Sequence, residues 1–370
     1  MTEITPILMP KWGLSMQEGK LTDWHIKEGD EVKVGDEIMD VETDKITNVV
    51  EAADGGTVRR IVGTAGEVYP VRALLAVMAP ASVPEEEIDA YVSAYETPVS
   101  DEEDEDTGPA YHVIELPIGK IRYAEQTGAN ADQTPIVLIH GFGGDLDNWL
   151  FNIDALAEHA PVYALDLPGH GQSVKSVDPG DPGIFTQTLL DFMDHCDIKR
   201  AHLVGHSMGG LVAGSTALDH PDRVASLTLI CSAGLGEDIN KDYIDGFVNA
   251  AGRKELKPVL THLFYNQSLV SRAMVQDLLK YKRLDGVQDF LTQLSTTAFR
   301  DGKQARIIAD KLATLDIPIT VIWGENDAII PASHAQNLPD VKPHVLGSAG
   351  HMVQMEHAGE VNKIIAASLD

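Results

Sequence analysis

The spacing of apolar positions changes twice along this chain. Over the first eighty residues they fall in short alternating runs, broken by turns such as Gly29-Asp30, Gly35-Asp36 and Gly66-Glu67. That is the pattern of half-buried β-strands. An acidic tract follows. From Ala110 onward, short apolar runs at 111–116, 120–124, 136–139, 162–165, 202–204, 226–230, 319–323 and 342–346 read as strands. Amphipathic segments, notably 149–159 and 186–195, separate most of them. Strands alternating with helices predict a mostly parallel, doubly wound sheet. Ligands of such sheets meet the carboxyl ends of the strands.

The first eighty residues contain an internal repeat. Gly19-Lys20-Leu21-Thr22-Asp23-Trp24 matches Gly56-Thr57-Val58-Arg59-Arg60-Ile61. With a one-residue adjustment, 32–41 matches 68–77, so that Ile38, Met39 and Val41 fall on Leu74, Leu75 and Val77, and Gly29 falls on Gly66. Neither half can bury its own apolar face, so the two are expected to close into one small β-sandwich over 1–80. Between them lies Glu42-Thr43-Asp44-Lys45-Ile46-Thr47-Asn48, read as a hairpin tip.

Residues 81–110 carry Pro84-Glu85-Glu86-Glu87 and Asp101-Glu102-Glu103-Asp104-Glu105-Asp106. Like charges repel and stay solvated, which predicts an extended tether, with a helical turn or two at 88–95. A spacer for a moving domain and an acidic docking tail are the two functional readings, and the spacer is preferred because a carrier needs reach.

The third region, 111–370, carries the densest chemistry. Gly205-His206-Ser207-Met208-Gly209-Gly210 lies between a strand and a helix-like segment. In that context Gly-x-Ser-x-Gly is a nucleophile elbow, a turn so sharp that small residues must flank the serine. His140-Gly141-Phe142-Gly143-Gly144 follows the strand at 136–139. The N–H of Phe142 and the N–H of Met208 are the candidate oxyanion donors. Asp327 follows one strand and His351 follows the last. The order Ser207, Asp327, His351 suits a nucleophile, an acid and a base. Asp327 could instead cap a turn, and Asp316 and Glu325 are nearby acids. Residues 236–306 interrupt the sheet pattern with helical character (275–284 is one example) and are expected to form a cap. Lys280, Lys282 and Arg283 within it read as a solvated basic face rather than an anion site. No histidine has metal-ligand spacing, and no metal is expected.

Composition narrows the choice. With 370 residues the chain has room for two or three domains, and 44% apolar residues suit a globular protein. A net charge of -29 argues against nucleic acid and anionic membranes as partners. Cys196 and Cys231 make no disulfide framework and suit a reducing compartment. The start MTEITPILMPKWG has neither a basic stretch nor an apolar core of leader length, so a cytoplasmic location is the expectation.

Three resemblances follow from these residues. The segment around Asp44-Lys45, with Val50-Glu51-Ala52 and Gly55-Gly56, resembles the modification site of lipoyl domains over 3–80, which implies lipoate on Lys45 as an N6-lipoyllysine. Biotin carriers place that lysine between methionines. Residues 110–370 resemble α/β-hydrolases through the glycine loop at 140–144, the elbow, Asp327 and His351. The pairing resembles the dihydrolipoamide acetyltransferase components of acetoin dehydrogenase complexes. It implies transfer of acetyl to coenzyme A. It also implies two partners, a thiamine-diphosphate-dependent acetoin-cleaving component and dihydrolipoamide dehydrogenase.

Two departures from the usual acyltransferases stand out. No subunit-binding segment is recognisable. None of Asp54-Gly55, Asp245-Gly246, Asp285-Gly286 and Asp301-Gly302 has the histidine four residues earlier that a His-x-x-x-Asp-Gly site needs. The transfer would fall to the triad. A lipoyl-tethered thioesterase or carbon–carbon hydrolase, and a carrier or scaffold with a vestigial triad, are the alternatives.

Overall fold

The computed structural model describes residues 4–10, 16–43, 47–52, 54–95, 97, 109–128, 130–179 and 183–369. They form two compact units, 1–108 and 109–370.

The first unit contains β1 (Thr5–Leu8), β2 (Glu18–Trp24), β3 (Glu31–Val32), β4 (Glu37–Glu42), β5 (Thr47–Glu51), β6 (Gly56–Ile61), β7 (Val68–Pro70) and β8 (Leu74–Met78). They make two four-stranded sheets, β1-β8-β6-β3 and β5-β4-β2-β7. The repeat equates β2 with β6, β3 with β7, and β4 with β8. Those equivalences carry one sheet onto the other. Gly29 and Gly66 both adopt positive φ, 93° and 95°, which a residue with a Cβ rarely takes. Leu21, Met39, Val41, Val58 and Leu75 are fully buried between the sheets. The β4–β5 hairpin pairs as far as Glu42 and Thr47. Asp44, Lys45 and Ile46 lie outside the described residues.

The tether expected over 81–110 begins later than its charge suggests. Helix α1 (Glu85–Ala94) belongs to the first unit. Its Ile88 is fully buried with Leu74, Val77 and Val83, a contact of about 2 kcal/mol. Arg59 and Arg60 of β6 hold Glu85 at 2.5 and 3.1 Å, and Arg60 reaches Asp89 at 2.6 Å. Tyr95 donates to the Arg72 carbonyl at 2.7 Å. The acids of the first turn are therefore partly paired. The run Asp101 to Asp106 lies outside the described residues.

The second unit is built on one eight-stranded sheet. Its strands are β9 (Ala110–Leu116), β10 (Gly119–Gln126), β11 (Ile136–Ile139), β12 (Val162–Leu165), β13 (Ala201–His206) and β14 (Val224–Ile230), then, after the insert described next, Ile319–Gly324 and His344–Leu346. The first two are antiparallel to their neighbours and the rest run parallel. All eight expected strands are present. The amphipathic stretches supply α2 (Ile153–Ala157), α3 (Gly183–His195) and, after the elbow, α4 (Met208–Asp219).

Within 236–306, where a cap is expected, the chain forms four α-helices. They are α5 (Lys241–Asn249), α6 (Arg253–Leu260), α7 (Arg272–Lys282) and α8 (Val287–Ala298). A short hairpin, Phe299–Arg300 with Lys303–Gln304, closes the insert. The basic face expected there is not uniform. Lys280 is exposed and paired with Asp277 at 2.7 Å. Lys282 is buried, because two residues along a helix point to nearly opposite sides. No helix among the described residues is long and apolar enough to cross a membrane.

Candidate active site

Ser207 stands between β13 and α4 with φ 53°, a conformation a serine keeps only when its surroundings hold it. The holding contacts are visible. Ser207 N–H donates to the Ile230 carbonyl at 2.9 Å, and its own carbonyl accepts from Gly210 and Ala233. The glycines on either side are obligatory for space. A Cβ on Gly205 would come within 2.3 Å of the Gly209 carbonyl oxygen, and one on Gly209 within 2.2 Å of the Ile139 oxygen.

The loop after β11 lies against this turn. A Cβ on Gly141 would approach Ser207 Cβ to 2.9 Å. His140 fixes the loop's direction. Leu167 N–H donates to His140 Nε2 at 3.0 Å. The proton is therefore on Nδ1, which donates to the Gly141 carbonyl at 2.8 Å. Gly144 N–H donates to the same oxygen at 3.2 Å. In a planar trans peptide the N–H opposes the C=O, so the Phe142 N–H is turned the other way. Burial keeps His140 neutral by lowering its pKa.

Asp327 follows strand Ile319–Gly324, and its side chain is fully buried. One oxygen accepts from Ile329 and Ile330 N–H at 2.8 and 3.0 Å. The other meets His351 Nδ1 at 2.8 Å. A carboxylate held this way keeps the imidazole in the tautomer whose Nε2 can accept a proton. The turn-capping role considered for Asp327 is thus real, beside its bond to His351. Glu356 anchors the histidine's loop, accepting from Gly350 N–H at 2.6 Å and from Asn266 N–H at 2.9 Å. Its burial raises its pKa.

Two neighbours were not legible beforehand. His206 Nε2 donates to the His351 carbonyl at 2.9 Å. Cys231 lies beside Asp327, and burial, followed by the charge of Asp327, raises its thiol pKa well above the ordinary value. Cys231, Asp327 and His351 offer ligand atoms within 4.8 Å of one another, but Asp327 and His351 already bond to each other and the thiol holds its proton.

The helical insert closes over the loop at 140–144 with aromatic rings. Phe142 makes edge contacts with Phe247 of α5 and with Phe299, each at 5.7 Å between centroids. Gly143, at φ 71°, leaves no room for a Cβ beneath Phe247. Lys282 Nζ donates to the Phe247 and Val248 carbonyls at the end of α5 and sits 5.0 Å from the Phe247 ring. Burial lowers its pKa to about 8.

Residues 134–358 match the family described as alpha/beta hydrolase fold, and 5–78 match the family described as biotin-requiring enzyme. A protein of Cupriavidus necator, the dihydrolipoyllysine-residue acetyltransferase component of acetoin cleaving system, is 49% identical over 99% of this chain and 97% of its own length. Its counterpart of the same name from Pseudomonas putida is 50% identical over 100% of this chain and 99% of its own. The chain belongs to this acetyltransferase family. As a member of it, it carries a lipoyl-type domain and an α/β-hydrolase domain in a single polypeptide. The hydrolase fold recurs in a serine hydrolase of Cycloclasticus zankles, with TM-score 0.64 and 22% identity over 70% of this chain and 97% of that one.

Proposed function

We propose that this chain is the acetyltransferase of an acetoin-cleaving complex, taking an acetyl group from a lipoyl arm on Lys45 and passing it to coenzyme A through Ser207. The reading is carried by one observation. The same chain that bears the lipoyl-type domain holds a buried Asp327–His351 pair, bonded at 2.8 Å, in the domain that strains Ser207 into an elbow. The chain's lack of a His-x-x-x-Asp-Gly site leaves this triad as its acyl-transfer chemistry.

The described strands on either side are compatible with a carrier site: β4 and β5 pair as far as Glu42 and Thr47, and β5 is an edge strand. When attached to Lys45, lipoate supplies a dithiolane that takes up an acetyl group with two electrons and offers it as a thioester. The acetoin-cleaving, thiamine-diphosphate-dependent component would load the arm, and dihydrolipoamide dehydrogenase would reoxidise it.

The residues of the second domain then act in order. His351 Nε2 takes the Ser207 proton as Oγ bonds to the thioester carbon. The Phe142 and Met208 N–H groups, the latter at the first residue of α4, stabilise the oxyanion. The carbon–sulfur bond breaks, and His351 returns the proton to the departing thiolate, leaving acetyl-Ser207. Coenzyme A thiol gives its proton to His351 and attacks the ester. As the carbon–oxygen bond breaks, the proton goes back to Ser207. Asp327 steadies the imidazolium throughout. The aromatic cap contacts over Phe142 keep water, the competing nucleophile, from the ester.

The test loads S-acetyl groups onto lipoylated protein, adds coenzyme A, and quantifies acetyl-coenzyme A against acetate. Wild type is expected to yield acetyl-coenzyme A, and Ser207→Ala to lose it by about 10⁴-fold or more. Acetate as the main product would make the chain a tethered thioesterase. Full activity in Ser207→Ala would make it a carrier with an idle triad.

A further inference from the structure

A cavity of about 110 Å³ lies between α4 and the cap. It borders the proposed reaction centre: Met208, which carries one proposed oxyanion donor, lines it, and so does Phe299, whose ring touches Phe142, the carrier of the other. Leu211 and Val212 of α4, Phe185 of α3 and Leu294 of α8 complete an apolar wall. The cavity approaches the size that holds a benzene-sized guest, roughly 150 Å³, and is far larger than the methyl of an acetyl group.

Two of the wall's polar side chains are engaged elsewhere. Gln304 accepts from Gly234 N–H at 2.7 Å and donates to the Asp238 carbonyl at 3.1 Å. Thr297 Oγ1 donates to helix carbonyls of Gln293 and Leu294. Arg306 is the one charged side chain lining the cavity among the described residues.

We infer that this cavity binds the hydrocarbon run of the acyl-dihydrolipoyl donor, so that Ser207 selects its substrate by the length of the thiol's alkyl chain. The inference rests on the function proposed above. In the donor, a run of methylenes separates the sulfurs from the lysine amide, and such a run needs an apolar wall and no partners. The pantetheine arm of coenzyme A carries two amides instead. They would meet a mostly apolar wall here, and an unpaired buried amide is costly.

The test uses the full chain and a series of acetyl thioesters whose thiols carry a growing number of methylenes before a terminal amide. S-acetyl-dihydrolipoamide and S-acetyl-pantetheine complete the set, and single-turnover loss of thioester is followed. The expected result is a kcat/KM that rises about four-fold per methylene, the equivalent of about 0.8 kcal/mol, up to the lipoyl length. S-acetyl-pantetheine should trail the series. Ala298→Phe, which narrows the cavity from α8, should flatten it, and the wild-type series decides the matter if that variant does not fold. A flat wild-type series with turnover still lost in Ser207→Ala would overturn the cavity assignment and leave the proposed function standing. S-acetyl-pantetheine outrunning the series would overturn it by giving the cavity to the acceptor. Turnover that survives Ser207→Ala would remove the proposed function, and this inference with it.

Discussion

His206 donates its Nε2 proton to the main-chain carbonyl of His351 across 2.9 Å, with the two rings 4.7 Å apart. The residue before Ser207 thus holds the backbone of His351. Its Nδ1 has no partner among the described residues. Burial, followed by the nearness of His351, lowers its pKa well below the ordinary value, so it stays neutral.

Removing that donor should loosen the histidine loop. In His206→Leu the buried His351 carbonyl loses its partner, at a cost of about 1–3 kcal/mol. The expected effect is roughly a ten-fold or larger drop in thioester turnover with unchanged secondary structure. His206→Gln keeps an N–H within reach of the carbonyl and should recover part of the loss. Equal rates in the Leu and Gln variants would show that the bond does not matter. Single-turnover kinetics with circular dichroism make the comparison.

Asp327→Asn should be severe for a reason visible in the bonding. The oxygen facing Ile329 and Ile330 must remain an acceptor for two N–H groups. The new amide would therefore present its NH₂ to His351 Nδ1 and favour the imidazole with its proton on Nε2, where it cannot act as base. A loss of about 10⁴ in kcat is expected, with a melting temperature near that of wild type. A variant retaining more than a tenth of wild-type turnover would remove Asp327 from the triad.

Gly209→Ala probes the elbow's space rather than its chemistry. The added Cβ would meet the Ile139 and His140 carbonyl oxygens at 2.2 and 2.5 Å, both of them backbone atoms with little freedom to move. Destabilisation of about 3 kcal/mol or more is expected, read as a lowered urea midpoint. A midpoint equal to that of wild type would contradict the close helix–strand approach.

Lys282 should leave a trace in the pH dependence of stability. Burial lowers its pKa from 10.5 to about 8. Between those values the unfolded chain still binds a proton that the folded chain has released, so this group makes stability rise with pH across the window and adds no slope below it. Lys282→Met removes the contribution. The wild-type minus variant difference in unfolding free energy should therefore climb from about pH 8 toward 10.5. Denaturant titrations across that range would detect it, and a flat difference would place the ammonium in water.

The eight strands of the second unit were legible because each is a short apolar run ended by a turn. The pairing of Asp327 with His351 was legible because each follows a strand, in the order that follows Ser207. The carrier domain announced itself by repetition, and its two sheets are copies related by that repeat. What escaped were contacts between distant segments. Helix α1 begins with three glutamates, which read as solvent-facing until Arg59 and Arg60 are seen to meet Glu85. A signal did exist in β8. Leu74-Leu75-Ala76-Val77-Met78 is apolar throughout and buried at every position, whereas β4 includes Glu37, Asp40 and Glu42, none of them buried. A strand apolar on both faces needs a cover on each. Lys282 was misread for the opposite reason, since neighbours in sequence were taken for neighbours on one helix face.

Helix α1 also decides where the carrier can be cut. Strand pairing ends at Met78, and a scalpel guided by the repeat would fall near residue 80. That incision would strip Ile88 from its seat and bare Leu74 and Val77, which Ile88 and Val83 cover in the intact chain. A fragment trimmed there would present a sticky apolar strip to its own copies. One carried through Tyr95 would keep its cover, its arginine clasps and its solubility.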